Sequence, residues 1–252
     1  MLFYYFQNYI SFAFYQQANC WIFYLRCIDA ELGNHAVVLA YLNTRLMSHA
    51  ALNQLLGNID LYLLDQILKG RFASGMRILD VGCGEGRNLV YFIRQGMDVW
   101  GIDRDPEALK LLRMYGKSLH PDFDPEKIIE DDAACISLPP ASFESIISSA
   151  VLHFAESHNH FSKMFAELVR LLKPGGTLFV RTAMLEGIAS QSQKRSADGV
   201  YLVPDGSERY LLQFRRLEKL CSQYKLAYLE PPKYVVVHQA RSMGTLILQK
   251  QG

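Results

Sequence analysis

From about Met47 onward, short apolar runs alternate with stretches of mixed apolar and charged residues. Ile78-Leu79-Asp80-Val81, Asp98-Val99-Trp100-Gly101-Ile102, Lys127-Ile128-Ile129, Phe143 to His153 and the run ending at Val180 are of strand length. Near-continuous apolar runs of this kind mark strands buried on both faces. Between them, Leu89 to Arg94, Glu107 to Met114 and Phe161 to Leu172 have the spacing of helices packed on a sheet on one side. Strands alternating with helices imply a parallel, doubly wound sheet with right-handed crossovers. After Arg181 the pattern changes. Gly187 to Arg209 is polar and turn-rich, with Asp198-Gly199 and Pro204-Asp205-Gly206 as breakers. Tyr210 to Cys221 reads as a helix, and Lys225 to Glu230 and Ser242 to Lys250 as two final strands.

The first strand runs into Asp80-Val-Gly-Cys-Gly-Glu-Gly86. Gly82, Gly84 and Gly86 remove every second Cβ, so the backbone can turn tightly and lie against a ligand. A pyrophosphate at a helix N-terminus calls for the spacing G-x-G-x-x-G. Here the spacing is G-x-G-x-G, and Asp80 and Glu85 place negative charge where a phosphate is repelled and a cation is welcome. S-adenosylmethionine, with a sulfonium and an ammonium and no phosphate, suits that turn. Asp103 ends the second strand 17 positions after Gly86, near the distance at which a strand-end acid meets a ribose diol. It is equally placed to cap the helix that Arg104-Asp105-Pro106-Glu107 announces. Asp131-Asp132-Ala133 follows the third strand, where a carboxylate could accept from an adenine amino group or simply face water.

Together these residues resemble the class I S-adenosylmethionine-dependent methyltransferase family over roughly Asn53 to Lys250. Asp80 to Gly86 matches the family's first motif, Asp103 the end of its second strand, Asp132-Ala133 its third acidic site and Phe143 to His153 its fourth strand. Leu171-Leu-Lys-Pro-Gly-Gly-Thr-Leu-Phe-Val180 looks like its helix, Pro-Gly-Gly turn and fifth strand. The resemblance implies a Rossmann-like α/β fold: a doubly wound, mostly parallel seven-stranded sheet closed by a C-terminal antiparallel hairpin. It further implies that Asp80, Gly82, Gly84 and Gly86 line the methionine half of the cofactor, Asp103 the ribose and Asp132 the adenine. Cys83, Asn88, Arg104, Ala133 and Ser149 are the further expected cofactor contacts. Gly86-Arg87-Asn88 is also similar to the helix opening of tellurite-resistance methyltransferases, which does not fix a substrate.

Composition narrows the picture. The 252 residues carry 26 basic and 25 acidic side chains, so there is no electrostatic footprint for nucleic acid. Five cysteines without a C-x-x-C pair suggest reduced thiols in a cytoplasmic protein, with Cys83 filling space in the glycine turn rather than acting as nucleophile. The first 25 residues hold no charged side chain and 11 of the 30 aromatics. That stretch approaches the ~20 residues of a membrane span, but Gln7, Asn8, Gln16, Gln17 and Asn19 argue against one, and no basic n-region marks a signal peptide. Residues 1–46 are expected to be an extension outside the fold, and 47–252 the methyltransferase domain, with no membrane association.

A methyl transfer asks mainly for alignment, exclusion of water, and a base where the acceptor carries a proton. His153, at the end of strand four, is the candidate base, with His158 and His160 behind it; a strand-end histidine can equally be structural. The spacing of these three is not that of an established metal site, so no metal is expected. Arg181, Tyr201 and Arg209 are candidates for binding a polar or anionic small-molecule acceptor, and 187–209 for a lid over its pocket. DNA methylation is disfavoured because Ser148-Ser149-Ala150-Val151 stands where an Asn/Asp-Pro-Pro-aromatic motif belongs. A cofactor-binding sensor or partner subunit without catalysis is the rival function. The acceptor's identity and the oligomeric state are not written in the sequence.

Overall fold

The computed structural model describes residues 48–252; the expected extension over 1–46 lies outside the described residues. Gln54–Gly252 form one compact unit. In chain order the described elements begin with α1 (His49–Leu56), α2 (Leu61–Leu68), β1 (Arg77–Val81), α3 (Val90–Arg94), β2 (Asp98–Asp103) and α4 (Pro106–Leu119). They continue with β3 (Ile128–Glu130), β4 (Phe143–Ser149), α5 (His158–Leu171) and β5 (Leu172–Ala183). The last third holds β6 (Gln193–Lys194), β7 (Val200–Leu202), β8 (Glu208–Tyr210), α6 (Phe214–Gln223), β9 (Leu226–Tyr228), β10 (Lys233–Val237) and β11 (Arg241–Lys250).

The main sheet runs β10-β11-β5-β4-β1-β2-β3, with β9 pairing off that path to β11. β1 pairs in parallel with both β2 and β4, and β4 with β5. The chain therefore reverses its direction of travel across the sheet between β1 and β4, and the crevice outside their carboxyl ends is where such sheets bind ligands. Strand alternation divides each central strand between two cores. Leu79, Ile146, Val180 and Leu246 face the core that also holds Phe161, Phe165 and Leu168 of α5 and Leu217 and Leu220 of α6. Ile78, Ile147, Phe179 and Ile247 face the other, with Phe92 of α3, Leu109 and Leu112 of α4 and Leu63 of α2.

Helix starts follow their capping residues. Asp105 accepts from the amides of Glu107 and Ala108 and precedes Pro106 at the head of α4; Ser157 accepts from the amide of His160 at the head of α5. The Pro-Gly-Gly segment is an irregularity within β5 rather than a turn before it. Phe143 pairs with Leu172, but two residues later Ser145 pairs with Thr177, so Lys173 to Gly176 bulge out around Gly175, whose φ is +78°.

The structure departs from expectation in the last third. The helix expected over Tyr210 to Cys221 begins at Phe214, because Tyr210 ends β8 and is fully buried. The polar segment 187–209 is not plain loop: β6, β7 and β8 form a three-stranded antiparallel sheet over a small apolar cluster of Ala183, Ile188, Tyr201, Val203 and Leu211. Its strands of two or three residues are too short for a period to show in sequence. The closing hairpin is made by β10 and β11, turning at His238 and Gln239, both with φ near +50°. The segment expected to supply its first strand instead gives β9, which pairs with the far end of β11 as an eighth strand. Among the described residues no helix is long and apolar enough to cross a membrane.

Candidate functional site

A cleft of about 320 Å³ opens at the carboxyl ends of β1, β2 and β4. One wall is the glycine turn after β1. The amides of Gly82 and Cys83 both donate to the carbonyl of Ile102 at 2.8 and 2.9 Å, and that of Gly86 to the carbonyl of Cys83, folding the turn back onto β2. A Cβ on Gly82 would stand 2.2 Å from Val151 Cγ2 and one on Gly86 2.3 Å from Leu112 Cδ1, while one on Gly84 would meet nothing within 4 Å. Gly82 and Gly86 are thus needed for close packing, whereas Gly84 leaves open space. All three take φ between +51° and +81°, where a side chain is strained.

Asp103 borders the turn and the cleft. Its Oδ2 accepts from the Gly84 amide at 2.7 Å and its Oδ1 from the Asp105 amide at 3.0 Å. Since Asp105 caps α4, the capping role weighed for Asp103 falls away, and each of its oxygens keeps lone-pair capacity. Asp131, Asp132 and Ala133 line the far side of the same cleft with Arg104. Asp132 is tied to the Ala134 amide and lies 4.0 Å from Arg104.

Beneath the turn lies Asp80, 1 % exposed, with neither carboxylate oxygen hydrogen-bonded among the described residues. Burial raises its pKa to about 7, opposed by the Arg87 charge and assisted by those of Asp103 and Asp60. An orphaned buried carboxylate, acids around the cleft and a Gly84 facing open space together suit a ligand that is cationic, rich in hydroxyls and free of phosphate. S-adenosylmethionine has that chemistry, and the donor set fits it.

The expected contacts separate into groups. Gly82, Asp103, Arg104, Asp132 and Ala133 line the cleft. Cys83 points away from it, its Sγ filling the space a Cβ on Gly101 would need, and burial pushes its thiol well above the usual range. Asn88 and Ser149 both serve Asp60: Asn88 Oδ1 accepts from the Asp60 amide at 3.1 Å, and Ser149 Oγ donates to Asp60 Oδ2 at 3.2 Å.

The acceptor candidates fare similarly. Arg181 spends its charge on Asp60, donating to Oδ2 at 2.6 Å, with its guanidinium 5.3 Å over the Tyr62 ring. Tyr201 is buried in the small cluster under the three-stranded sheet. Arg209 does reach the region, with Cζ 4.7 Å over the ring of Phe154, which is 52 % exposed and lines the cleft beside Val151, His160 and Met164.

His153 lies in a single 3-10 turn, Leu152–Phe154, four residues beyond the end of β4. It is buried, tilted against Phe154, and its Nδ1 has no partner among the described residues. Burial, then the charges of Arg209 and Arg181, lower its pKa to about 4. His158 Nδ1 pairs with the Tyr210 hydroxyl and His160 Nδ1 accepts from the Glu156 amide. Asp60 and Phe154 are the residues the sequence did not disclose. Asp60 carries an N-cap signal before α2 and does accept from the Tyr62 amide, but a cap is ordinarily solvated, and nothing local foretells its burial.

The comparisons point the same way. A family model described as "Methyltransferase domain" matches residues 79–180. A ubiquinone biosynthesis O-methyltransferase of Xylella fastidiosa is 35 % identical over 149 residues, covering 58 % of this chain and 58 % of that protein. A mitochondrial protein of the same description from Mus musculus is 31 % identical over 137 residues, covering 48 % of this chain and 34 % of that one. The chain thus matches little more than half the length of the first of these curated relatives. The solved structure of a SAM-dependent methyltransferase from Methanosarcina mazei superposes with a TM-score of 0.60 at 20 % identity, covering 73 % of this chain and 97 % of that one; at that identity it speaks for the fold.

Proposed function

We propose that the chain is a class I S-adenosylmethionine-dependent methyltransferase, a reading supported by the methyltransferase-domain match over residues 79–180, and that it transfers a methyl group from S-adenosylmethionine to an oxygen of a small-molecule acceptor. The observation that carries this is the unpartnered Asp80 beneath a glycine turn whose central residue faces open space. The choice of oxygen follows the description shared by the curated relatives.

When bound, the cofactor supplies an electrophilic methyl group on a sulfonium leaving group. The chain holds and screens it. Gly82 to Gly86 would hold the methionine half, with Asp80 balancing the ammonium; Asp103 would hold the ribose hydroxyls, and Asp132 and Ala133 the adenine. Orientation of this kind can supply roughly 7–11 kcal/mol of the barrier. The acceptor would enter beside Val151 and Phe154, where an aromatic face and the Arg209 cation suit a planar ring with an anionic or strongly polar substituent. The segment 187–209 is the proposed lid, since it carries Arg209 to that position.

Release of S-adenosylhomocysteine, measured across a panel of phenols, catechols and hydroxy acids, tests the function. Turnover with at least one is expected. Tight cofactor binding with no turnover on any would instead make the chain a sensor or partner subunit. Arg209→Ala should raise the acceptor's KM about tenfold and leave cofactor affinity unchanged; an unaltered KM removes Arg209 from the acceptor site.

His153 is the proposed base for an acceptor that carries a proton. With a pKa of about 4 it is neutral at pH 7 and so able to accept, though weakly basic. The acid limb of kcat/KM should then fall near pH 4 and vanish in His153→Gln. A limb near 6.5 that survives the substitution would assign the base elsewhere. The same shift has a stability consequence. Between pH 6.5 and 4 the unfolded chain takes up a proton at His153 that the folded chain does not. The protein therefore loses stability over that interval as pH falls.

A further inference from the structure

Asp60 is the most thoroughly enclosed charge in the described chain that the proposed chemistry leaves unused: its side chain is 0 % exposed. Its Oδ1 accepts from the Tyr62 amide at 2.9 Å, which caps α2. Its Oδ2 gathers three groups from three different strand ends. These are Arg181 Nη1 from β5 at 2.6 Å, Ser149 Oγ from β4 at 3.2 Å, and Arg87 Nη2 from the glycine turn after β1 at 3.9 Å. Arg87 also donates to Ser149 Oγ at 3.4 Å. The site holds two guanidiniums and, counting Asp80, two carboxylates. Only Asp60 is hydrogen-bonded; Asp80 is left without a partner among the described residues.

That asymmetry is unexpected on electrostatic grounds. A guanidinium just past the glycine turn that follows a strand carrying a buried, orphaned carboxylate has every incentive to pair with it, since burial makes an uncompensated charge costly. Arg87 already influences Asp80 more than any other charge does. What Arg87 has instead is Asp60, which with Ser149 offers a fixed alternative. We propose, on the premise of the function above, that Asp60 is a positioning residue that parks Arg87 away from Asp80. Asp80 thereby stays available for the cationic amino group of the cofactor.

The consequence is a competition. With Asp60 neutral, two guanidiniums face one remaining carboxylate, Arg87 swings to Asp80, and the ligand's ammonium must displace it. Asp60→Asn tests this, because an asparagine oxygen can still accept from the Tyr62 amide and cap α2, while the charge and the acceptor that face Arg181, Ser149 and Arg87 are both removed. Calorimetry on the full chain at pH 7.5 should show S-adenosylhomocysteine binding at least tenfold more weakly to D60N than to wild type. The double variant Asp60→Asn with Arg87→Gln should recover most of that loss, which a purely structural defect would not allow. In the ligand-free protein, carboxyl-carbon NMR should find the Asp80 pKa lowered in D60N and restored in the double variant. Wild-type affinity in D60N, or a double variant no better than D60N, overturns the assignment. Should D60N fail to fold, Arg87→Gln alone decides: it should bind at least as tightly as wild type, and tenfold weaker binding would show that Arg87 itself holds the ligand. Failure of the wild type to bind would instead strike the function, not Asp60.

Discussion

Asp80→Asn should make the ligand-free protein more heat-stable at pH 8 while reducing its affinity for S-adenosylmethionine roughly 100-fold. The two effects share one cause. Asp80 is buried without a hydrogen-bond partner among the described residues, and burial raises its pKa from 3.8 to about 7. Below pH 3.8 the carboxyl is protonated in folded and unfolded chains alike, and its titration costs nothing. As pH rises toward 7 the unfolded chain gives up the proton while the folded chain retains it. Stability therefore falls across that window, and above it the folded state bears the full penalty, on the order of 4 kcal/mol. An amide has no charge to desolvate, so the melting temperature should rise by about 5–10 °C at pH 8 and the advantage should shrink toward pH 4. The affinity loss follows from removing a charge-assisted contact to an ammonium, worth about 1.5–3 kcal/mol in a buried setting. A variant less stable than wild type at pH 8, or one that keeps its affinity, would contradict the role given to Asp80.

Gly82→Ala should destabilise the protein strongly, and Gly84→Ala should cost less stability while abolishing ligand binding. At Gly82 a Cβ meets Val151 Cγ2 at 2.2 Å with φ at +76°. Left-handed strain of roughly 1–2 kcal/mol adds to overpacking of about 1–3 kcal/mol, since the Val151 side chain must shift to make room. Against a total stability of about 5–15 kcal/mol, such a loss should lower the melting temperature by about 5–15 °C. At Gly84 φ is +51° and a Cβ meets no atom within 4 Å, so only the strain remains, about 1–2 kcal/mol. The methyl group would project into the space the ligand is proposed to fill. Thermal melts paired with binding isotherms separate the two. Equal stability losses in both variants would deny the turn its role as a cradle.

The parallel half of the fold was legible because its signals are local. β1, β2, β4 and β5 are apolar runs buried on both faces, and Asp105-Pro106 announces its helix by capping chemistry that any sequence displays. The last third was harder to read. β7 and β8 have three residues each, and the helix boundary at Phe214 depends on Tyr210 being drawn into the core against Phe161, 4.5 Å between ring centroids. β10 is exposed along its whole length, so the burial alternation that identifies a strand is missing there.

The site divides along the same line. Residues on the turn and at the strand ends, Gly82, Asp103, Asp132 and Ala133, which the glycine spacing and the family resemblance together marked, line the cleft, since the backbone that carries them is fixed by the fold. Arg181 does not. Whether a strand-end arginine faces a ligand or another part of the chain depends on a partner 121 positions away, and here that partner is Asp60. Asn88 and Ser149 are engaged by the same residue. His153 neighbours the cleft-lining Phe154 without lining the cleft itself, and its burial and the two arginines that depress its pKa are long-range facts.

Calorimetric titration of the wild-type chain with S-adenosylhomocysteine, NAD and ATP in parallel tests the central claim most directly. Saturable binding of S-adenosylhomocysteine at one site per chain is predicted, with proton release near pH 6.5 as Asp80 ionises against the incoming ammonium and no heat from either phosphate-bearing nucleotide. Uptake of NAD or ATP by a folded protein that ignores S-adenosylhomocysteine would contradict it.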